Sequence, residues 1–512
     1  MKVEFPEKFN MSDYFLYRNL EEGRADKICL YFEDQTFTYK EVARTANQTG
    51  NALRELGASI EDRVLIALPD CPEFVWTWFG ASRIGAVITM VNPLLPAADY
   101  KYYLQYTRSR VAVIHSSLLE TFTEAAREAK HLRNVLVVGD GCGHFSSFTQ
   151  TARQMSDECI PADTTRDDIA IWLFTSGSTG RPKGAVHLHH DLPFNTEVYA
   201  KRVLGLTEND LTIAVPKLFF GYATGTNLLF PFAVGGATAL FAERSTPEKI
   251  FEMIERFHPT VLTSVPTMIN QMLNVDGATR KDLSSLRMCL SAGEALPVEL
   301  YERWMKTFGV EILDGIGSAE MFHIYITNRL GDVVPGSLGR IVSGYEARIV
   351  DAEGAEVPTG EMGTLRIKGD SAAICYWQAH EKSKETFVGD WCTTGDQFHV
   401  DAEGYYWYHG RTDEMLKVGG VFVAPVEIEN CLLQHESVRE CACVGYDAGD
   451  GLIKPKAFIV LHERYAPDDS LADQIQEFVK SKLARYKYPR RIEFVSSLPK
   501  NDRGKIDRKR LK

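Results

Sequence analysis

A ten-residue stretch at 175–184, TSGSTGRPKG, has the side-chain types that bind a phosphate group. Its glycines let backbone N–H groups approach an anion, its hydroxyls add donors, and Lys183 supplies a positive charge. It is not a Walker loop, because Gly184 follows Lys183 where that loop has Ser or Thr. The pattern predicts a phosphate-binding loop, with a flexible surface turn as the alternative. The predicted phosphate ligands are Thr175, Ser176, Gly177, Ser178, Thr179, Gly180 and Lys183.

This loop must be positioned by strands that alternate with helical segments over most of the chain. The apolar run at 169–174 directly precedes the loop and predicts a buried strand. Strands separated by helices favour βαβ units and largely parallel sheets, which bind ligands at the carboxyl ends of their strands. Other predicted strands lie at 63–68, 84–90, 111–114, 134–138, 261–264, 288–291 and 311–314.

The pattern changes near residue 335, where short runs separated by DAEG turns predict antiparallel hairpins. These runs are 345–350, 363–367 and 405–408. After Gly410 the sequence predicts strands at 418–423, 441–445, 457–461 and 491–495 and a helix at 471–484. About a hundred residues suffice for a separate core. The predicted fold class is α/β. A large N-terminal domain, 1–411, has layered βαβ sheets plus a small β-barrel-like region, and a small α+β C-terminal domain spans 412–512.

Composition and charge exclude several classes of protein. The 512 residues are 45% hydrophobic and 25% charged, which is ordinary globular composition. The 57 basic and 69 acidic residues give a net charge of −12, so we expect no nucleic-acid or membrane partner. The longest apolar stretch, 228–242, is interrupted by proline and glycine and is too short to span a bilayer.

Cysteine usage and the first residues predict a cytoplasmic protein. None of the ten cysteines forms a CxxC pair, so we expect reduced thiols and no zinc site. The N-terminal segment is charged and interrupted by proline, unlike a signal peptide. A homodimer is one oligomeric state that the sequence leaves open.

Five further motifs follow the glycine-rich stretch along the chain. They are SAGEA at 291–295, GIGSAE at 315–320, TTGD at 393–396, GRTD at 410–413 and PKNDRGK at 499–505. Together with TSGSTGRPKG they resemble the signature of the acyl-adenylate-forming superfamily, which includes acyl- and aryl-CoA ligases, luciferases and peptide-synthetase adenylation domains. The resemblance implies a carboxylic acid substrate, with ATP, Mg²⁺ and coenzyme A.

In this superfamily a carboxylate attacks the α-phosphorus of ATP, a step that needs cations and fixed donors around the phosphates. The resemblance implies that Glu320 binds Mg²⁺, which prefers oxygen ligands. It also implies that Asp396 accepts hydrogen bonds from the ribose with help from Arg411, although an Asp in TTGD alternatively only forms a turn. The catalytic residues it implies are Lys505, Lys183, Glu320 and Thr175. The further nucleotide contacts it implies are Gly293, Glu294, Ala295, Asp314, Gly315 and Ile316.

Two positions depart from the superfamily pattern. Ile316 stands where an aromatic residue is usual, and Ala319 stands where Thr is usual. Aliphatic packing would then replace stacking on the adenine, and one hydroxyl contact to the γ-phosphate would be missing.

The segment 500–512 carries seven basic and two acidic residues, which alone is typical of a solvated or disordered tail. The resemblance instead implies that Lys505 is a mobile cation that joins the substrate carboxylate to the α-phosphate during adenylation. A rotation of the small domain would then withdraw it and present a glycine-containing loop to the pantetheine arm of coenzyme A. The residues implied for this hinge and loop are Asp413, Lys417, Gly419 and Gly420.

The residues expected to recognise the acid resemble those of benzoate-type CoA ligases. The resemblance implies a short, flat aromatic pocket, and Gly221 leaves space beside the ring for an ortho amino group. His323 would contact that substituent, or alternatively it is a packed structural histidine. The implied pocket residues are Phe220, Gly221, Tyr222, Gly317, His323 and Ile324. Three further histidines, His187, His189 and His190, are expected to face solvent at a helix start instead of binding a metal.

The predicted activity is that of an aryl-CoA ligase, which joins a small aromatic carboxylic acid to coenzyme A and releases AMP and pyrophosphate. We expect 2-aminobenzoate to be the better acid and benzoate to react as well, because an apolar pocket separates small substituents weakly. One alternative is an adenylating enzyme that loads a carrier-protein phosphopantetheine. Others are a non-catalytic acyl- or nucleotide-binding homologue and, less well supported, a P-loop NTPase.

Overall fold

Two largely parallel β-sheets form the framework of the chain, as the alternation of strands and helices predicts. The computed structural model describes residues 3–176, 181–418, 421–447, 453–484, 486–500 and 506–511. It confirms the α/β class, with layered βαβ sheets followed by antiparallel strands and a small α+β segment. Within the described residues, every helix is too short or too polar to cross a membrane.

The first sheet has eight strands, and its central strands are mostly apolar because both faces are buried. Five neighbouring pairs are parallel, whereas the glycine-rich motif joins an antiparallel pair. In spatial order the strands are β19 (Cys375–Tyr376), β9 (Pro182–Leu188), β8 (Ile169–Ser176), β4 (Val87–Met90), β3 (Arg63–Ala67), β5 (Val111–His115), β6 (Asn134–Val138) and β7 (Ser146–Ser147).

The second sheet has nine strands with a parallel centre and antiparallel edges. Its parallel strands β13 and β14 carry two of the predicted nucleotide motifs at their carboxyl ends. In spatial order the strands are β16 (Arg340–Ile341), β15 (Ile324–Thr327), β14 (Ile312–Gly317), β13 (Met288–Ala292), β12 (Val261–Ser264), β10 (Leu211–Ala214), β11 (Ala237–Leu240), β1 (Ile28–Phe32) and β2 (Gln35–Thr38).

The remaining strands are mostly antiparallel, as the DAEG turns predict. A five-stranded sheet consists of β17 (Glu346–Val350), β18 (Gly363–Lys368), β20 (Phe387–Val388), β21 (Trp391–Val400) and β22 (Tyr406–Arg411). The C-terminal segment contains the hairpin β23 (Leu416–Val418) and β24 (Val421–Val423), followed by a sheet of β25 (Val438–Asp447), β26 (Ile453–Leu461) and β27 (Arg491–Phe494).

The helices begin at identifiable caps and cover the faces of the sheets. Thr38 and Glu41 form a capping box at the start of the second helix, and proline is at the first or second helical position of five others. The α-helices are α1 (Arg18–Glu21), α2 (Tyr39–Glu55), α3 (Pro72–Arg83), α4 (Ala97–Thr107), α5 (Leu119–Ala126), α6 (Phe148–Arg153), α7 (Asp191–Asn195), α8 (Gly221–Thr224), α9 (Phe230–Ala233), α10 (Pro247–Phe257), α11 (Pro266–Leu273), α12 (Val298–Phe308), α13 (His380–Thr386), α14 (Pro425–Leu432) and α15 (Asp469–Lys482). Short 3₁₀ or π turns span Asp13–Tyr17, Ser116–Leu118, Thr196–Lys201, Gly225–Leu229, Ala278–Arg280, Ala319–Met321 and Arg508–Leu511.

The apolar core follows this division of the chain. One large cluster of buried side chains joins both parallel sheets to the five-stranded sheet. A separate cluster within 416–479 packs α14 and α15 against β25 and β26. The C-terminal segment therefore has an apolar core of its own, as its length allows.

Several predicted bounds differ from the structure for local reasons. The strand predicted at 84–90 begins at Val87, because Ile84 ends helix α3. The strand predicted at 418–423 is instead the hairpin of β23 and β24. In sequence, apolar residues at the end of a helix look the same as apolar residues at the start of a strand. The boundary is defined only by which of them pair with a neighbouring strand.

Candidate active site

The glycine-rich motif lies at the tip of the β8–β9 hairpin, beyond the carboxyl end of a strand in the first sheet. The strand register pairs Thr175 with Lys183 and Ser176 with Pro182, so both ends of the motif are fixed by the sheet. Gly177, Ser178, Thr179 and Gly180 lie outside the described residues. The sheet therefore places a hydroxyl residue and a lysine side by side beneath the tip.

Lys183 lies near the predicted metal ligand. Burial lowers the pKa of Lys183, and the Lys382 ammonium lowers it further, whereas the Glu320 carboxylate opposes the shift. The Nζ atom of Lys183 is 5.7 Å from the centre of the Tyr376 ring. A cation and a carboxylate thus meet beside one tyrosine at the end of strand β9.

Glu320 lies in the short turn Ala319–Met321, directly after strand β14. Its backbone carbonyl accepts a hydrogen bond from the Ala373 N–H at 2.8 Å. Its Oε1 accepts a hydrogen bond of 2.6 Å from the hydroxyl of Tyr376. Burial, and next the Glu320 carboxylate, raise the pKa of Tyr376, which keeps this hydroxyl a donor.

A single carboxylate suits Mg²⁺ that is held mainly by substrate phosphates, because Mg²⁺ usually keeps few protein ligands in such sites. Among the described residues, no group of three or more His, Cys, Asp or Glu side chains is arranged to hold a metal without a substrate. The half-buried Glu320 and the adjacent Lys183 therefore fit a metal that arrives with a nucleotide.

The expectation that the three histidines face solvent is wrong for two of them. His187 and His189 are fully buried, and His190 alone is partly exposed. The Nδ1 of His187 is 2.8 Å from Asp191 Oδ2, and its Nε2 is 2.7 Å from the carbonyl oxygen of Ala319. His187 lies on β9 and faces the turn that carries Glu320, so the sheet buries a side chain that sequence polarity alone assigns to the surface.

The predicted adenine contacts lie at the carboxyl ends of the adjacent strands β13 and β14. Gly293, Glu294 and Ala295 follow β13, and the Glu294 carboxylate accepts hydrogen bonds from the backbone N–H and hydroxyl of Thr267, at 3.2 and 2.7 Å. Gly315 and Ile316 lie within β14. The side chain of Glu294 is therefore hydrogen-bonded to the start of helix α11. A ligand contact from this segment would come from its backbone.

Asp314 is buried in strand β14, and its Oδ1 has no hydrogen-bond partner among the described residues. Burial raises the pKa of Asp314 to about 8. This carboxyl oxygen, beside the nucleotide motifs of β13 and β14, is therefore available to a ligand.

We expect Asp314→Asn to flatten the pH dependence of stability. A carboxyl group with a raised pKa in the folded state stabilises the fold at low pH, and this contribution is lost as the pH rises from about 4 to about 8. Asn has the same shape and does not titrate. Urea unfolding of both proteins at pH 6 and pH 8 measures the effect: the variant should gain stability relative to wild type at pH 8. A difference between the two proteins that is the same at both pH values would contradict the prediction.

Asp396 lies inside a strand, not in a terminal turn. It belongs to the ten-residue strand β21, where it pairs with Arg411 of β22. The pairing of β21 with β18 shifts register beside it, and Gly395 has a φ of 74°. Arg411 Nη1 is 3.3 Å from Asp396 Oδ1 and donates to the Thr394 carbonyl at 2.9 Å. Burial raises the pKa of Asp396 to about 6, although Arg411 opposes the shift.

A strained turn joins Glu320 to the predicted acid pocket. Phe322 has φ 66° and ψ −57°, and the His323 N–H donates to the Met321 carbonyl at 2.8 Å, which defines a γ-turn. Such a conformation costs energy in a non-glycine residue and persists only when its surroundings hold it. Here the Ser371 hydroxyl donates to the Met321 carbonyl at 2.8 Å.

Buried polar groups from two other segments support this turn. The Tyr345 hydroxyl is 2.7 Å from Ser371 Oγ and donates to it, because the single Ser371 proton is used by Met321. The Asn195 amide donates to both the Tyr345 hydroxyl and the Ile324 carbonyl, at 2.8 and 2.9 Å. The turn is thus fixed from helix α7 and from the start of the five-stranded sheet.

His323 is enclosed by aromatic rings. Its ring centre is 4.7 Å from Phe230, 5.3 Å from Tyr222 and 5.6 Å from Tyr199. Burial lowers the pKa of His323 to about 3, so the ring is neutral. Its Nε2 donates to the Tyr222 carbonyl at 3.0 Å, which leaves Nδ1 as an acceptor that lacks a partner among the described residues.

The other predicted pocket residues surround this turn and helix α8. Phe220 precedes α8, while Gly221 and Tyr222 begin it. A Cβ atom at Gly221 would lie 3.3 Å from Leu173 Cδ1 and 3.7 Å from the Phe322 carbonyl oxygen. Ile324 pairs with Gly317 across β14 and β15. The structure therefore brings the predicted pocket residues together at one end of the second sheet.

The residues predicted to act through the C-terminal segment are described in part. Asp413 is exposed and lies 3.7 Å from Arg411 Nε, and Lys417 is exposed on β23. Gly419, Gly420 and Lys505 lie outside the described residues. The basic tail is anchored, because Arg508 contacts the Glu429 carboxylate at 2.8 and 2.9 Å.

Sequence patterns missed Tyr376 and assigned His187 to the surface, whereas both residues contact the turn of Glu320. Tyr376 lies in the two-residue strand β19, which pairs with β9 from almost two hundred positions away in the chain. Its position between a short turn and helix α13 gave no periodic signal. Only the pairing of the two strands reveals the contact.

Comparison with known proteins identifies the family of this chain. Profiles of the AMP-binding enzyme family and of the AMP-binding enzyme C-terminal domain match residues 17–377 and 427–505. A benzoate–CoA ligase of Thauera aromatica is 44% identical over all of this chain and 97% of its own length. The crystal structure of an anthranilate CoA ligase, AuaEII, with anthranoyl-AMP has a TM-score of 0.95 and 42% identity, covering 99% of this chain and 97% of that one. A benzoate CoA ligase from Burkholderia xenovorans has a TM-score of 0.92 and 41% identity, covering 98% and 99%.

Proposed function

The chain belongs to the AMP-binding enzyme family, and we propose that within this family it is an aryl-CoA ligase whose better acid is 2-aminobenzoate. It is an AMP-forming acid–CoA ligase. ATP and coenzyme A are substrates of this type of enzyme. The finer assignment of the acid rests on the pocket around His323 and Gly221.

In the first half-reaction an oxygen of the aryl carboxylate attacks the α-phosphorus of ATP, the bond to the β-phosphate oxygen breaks, and pyrophosphate leaves. We assign the phosphate contacts to the hairpin tip, with Thr175 and Lys183 fixed at its base. Glu320 would bind Mg²⁺, which neutralises charge on the phosphates. Asp396 and Arg411 would hold the ribose, and Asp314 with the segment 293–295 would face the adenine.

In the second half-reaction the sulfur of coenzyme A attacks the acyl carbon of the aryl-adenylate. The thiol proton is lost, the bond to the phosphate oxygen breaks, and AMP leaves. We propose that the small domain begins near 411–414 and rotates about Asp413 between the two steps, exchanging Lys505 for the loop that follows Lys417. The separate apolar core of the segment 416–479 supports movement as one body.

The observation that carries the choice of acid is a pair of acceptors in the turn at Phe322, one of which faces Gly221. The Phe322 carbonyl oxygen lies 3.7 Å from where a Cβ of residue 221 would be, and neutral His323 offers an unpartnered Nδ1. An ortho amino group supplies N–H donors for such acceptors, whereas benzoate supplies none. A buried acceptor left without a donor weakens the binding of the analogue that lacks one.

We expect Gly221→Ala to lower kcat/KM for 2-aminobenzoate at least about tenfold relative to benzoate, because one methyl group fills the space that the amino group needs. The measurement is CoA-dependent pyrophosphate release with benzoate, 2-aminobenzoate, 2-hydroxybenzoate and 2-methylbenzoate on both proteins. Benzoate serves as the internal control for folding and nucleotide binding.

Each result of this comparison has a distinct meaning. A donor effect requires 2-aminobenzoate and 2-hydroxybenzoate to exceed 2-methylbenzoate on the wild type. Unchanged selectivity in the variant would place the ortho substituent elsewhere in the pocket. Pyrophosphate release without an aryl-CoA product would instead favour a carrier-protein acceptor.

A further inference from the structure

We propose that Tyr376 is a positioning residue for the adenylation step, which sets the orientation of the Glu320 carboxylate toward the Mg²⁺–ATP complex. This inference rests on the role proposed above for Glu320. The contact that carries it is the 2.6 Å hydrogen bond from the Tyr376 hydroxyl to Glu320 Oε1.

The hydroxyl of Tyr376 is held in place by the backbone around it. Tyr376 pairs with Ala185 of β9, the strand that also carries Lys183. Its N–H donates to Ser383 Oγ at 3.0 Å, and its ring packs 5.4 Å from that of Phe387. A buried ring on a paired strand gives a fixed donor, so the bonded carboxylate has one preferred rotamer.

Because of this hydrogen bond, the two carboxylate oxygens of Glu320 have different roles. Oε1 is occupied by the tyrosine, whereas Oε2 takes no hydrogen bond from any described residue. A hydrogen bond to one oxygen of a carboxylate orients the other toward its ligand, and such outer contacts affect metal affinity about 10–100-fold. The same ring lies 5.7 Å from Lys183 Nζ. Tyr376 thus binds Glu320 and also lies close to Lys183, the two charged residues of the proposed phosphate site.

The test is Tyr376→Phe, which removes the hydroxyl and keeps the ring. Calorimetry measures ATP binding by the full-length protein without acid, in the presence and absence of Mg²⁺, for wild type, Y376F, E320Q and the double variant. We expect Y376F to reduce about tenfold the factor by which Mg²⁺ tightens ATP binding, with metal-free affinity unchanged. The double variant should lose no more of this factor than E320Q alone, because the tyrosine acts through the glutamate.

Tyr405→Phe is the matched control, since its hydroxyl donates to Asp332 Oδ1 at the same 2.6 Å away from the site. It should leave both affinities unchanged. If Y376F weakens ATP equally with and without Mg²⁺, or if the two losses add in the double variant, the positioning role is wrong while the function stands. If E320Q itself keeps the full Mg²⁺ effect, both this inference and the proposed role of Glu320 are overturned.

Discussion

Replacement of Lys505 by alanine is expected to slow adenylation about 10²–10³-fold while thioester formation from supplied aryl-adenylate stays close to wild type. The lysine would stabilise charge where the carboxylate meets the α-phosphate, and that contact exists in only the first half-reaction. Lys505 lies outside the described residues, but its flanks are fixed. Lys500 and Ile506 pair as an antiparallel bridge, and the Asp507 N–H donates to the Pro499 carbonyl at 2.8 Å. Removal of one side chain between them should therefore leave these flanking contacts in place.

Two assays separate the half-reactions of the Lys505→Ala variant. Pyrophosphate release with acid and ATP reports adenylation, and aryl-CoA formation from synthetic aryl-adenylate reports the second step. Lys509→Ala is the matched control, because it removes an equal charge from an exposed position in the same segment and should change neither rate. Equal losses in both steps for Lys505→Ala would reject the exchange of two domain positions.

Gly317→Ala should lower kcat/KM about a hundredfold for every aryl acid, because a small displacement of reacting groups costs that much. Strand β14 shifts register between Ile316 and Gly317 as it pairs with β15. A Cβ atom at residue 317 would lie 2.4 Å from the His323 carbonyl oxygen, closer than two such atoms can approach. The backbone of His323 must therefore move, and the turn that also carries Glu320 moves with it.

Gly354→Ala is the control for this substitution. Gly354 has a φ of 87° in a surface turn, and its added Cβ would meet no atom closer than 3.5 Å. We expect a loss of about 1 kcal/mol in unfolding free energy without a loss of activity. Steady-state kinetics with benzoate and 2-aminobenzoate, together with unfolding curves, measure both effects. Wild-type kcat/KM in Gly317→Ala would show that the site tolerates a displaced His323 backbone.

Local sequence could predict those parts of the site whose structure depends mainly on the residue types of one short segment. A glycine- and hydroxyl-rich stretch after an apolar strand predicted a loop beyond the end of β8 but not the partner strand β9, and the motifs after β13 and β14 lie at neighbouring strand ends. The turn-forming residues of TTGD offered a simple turn as the alternative for Asp396, whereas cross-strand pairing with Arg411 keeps it within β21. Pairing partners are distant in the chain, so local composition does not reveal them.

The same limit explains the buried histidine and the missed tyrosine. His187 looks like a surface residue because it belongs to a cluster of three histidines, but it lies on the face of β9 that is covered by the turn of Glu320. Tyr376 looks like an ordinary apolar side chain of an edge strand. In both cases the role of the residue depends on a hydrogen-bond partner from another element. Because each side chain is buried, its polar atoms need such a partner within the protein.

The γ-turn at Phe322 also constrains how this enzyme can acquire new substrates. The backbone that joins Glu320 to His323 cannot shift freely, because Ser371 and Asn195 donate hydrogen bonds to carbonyl groups at its two ends. A mutation in the turn that reshapes the acid pocket will therefore disturb nucleotide chemistry as well. Substitutions at Gly221 alter the same pocket from helix α8 and do not replace a residue of the turn. Directed evolution toward other aryl acids should accordingly accumulate substitutions on the helix side and leave the turn untouched.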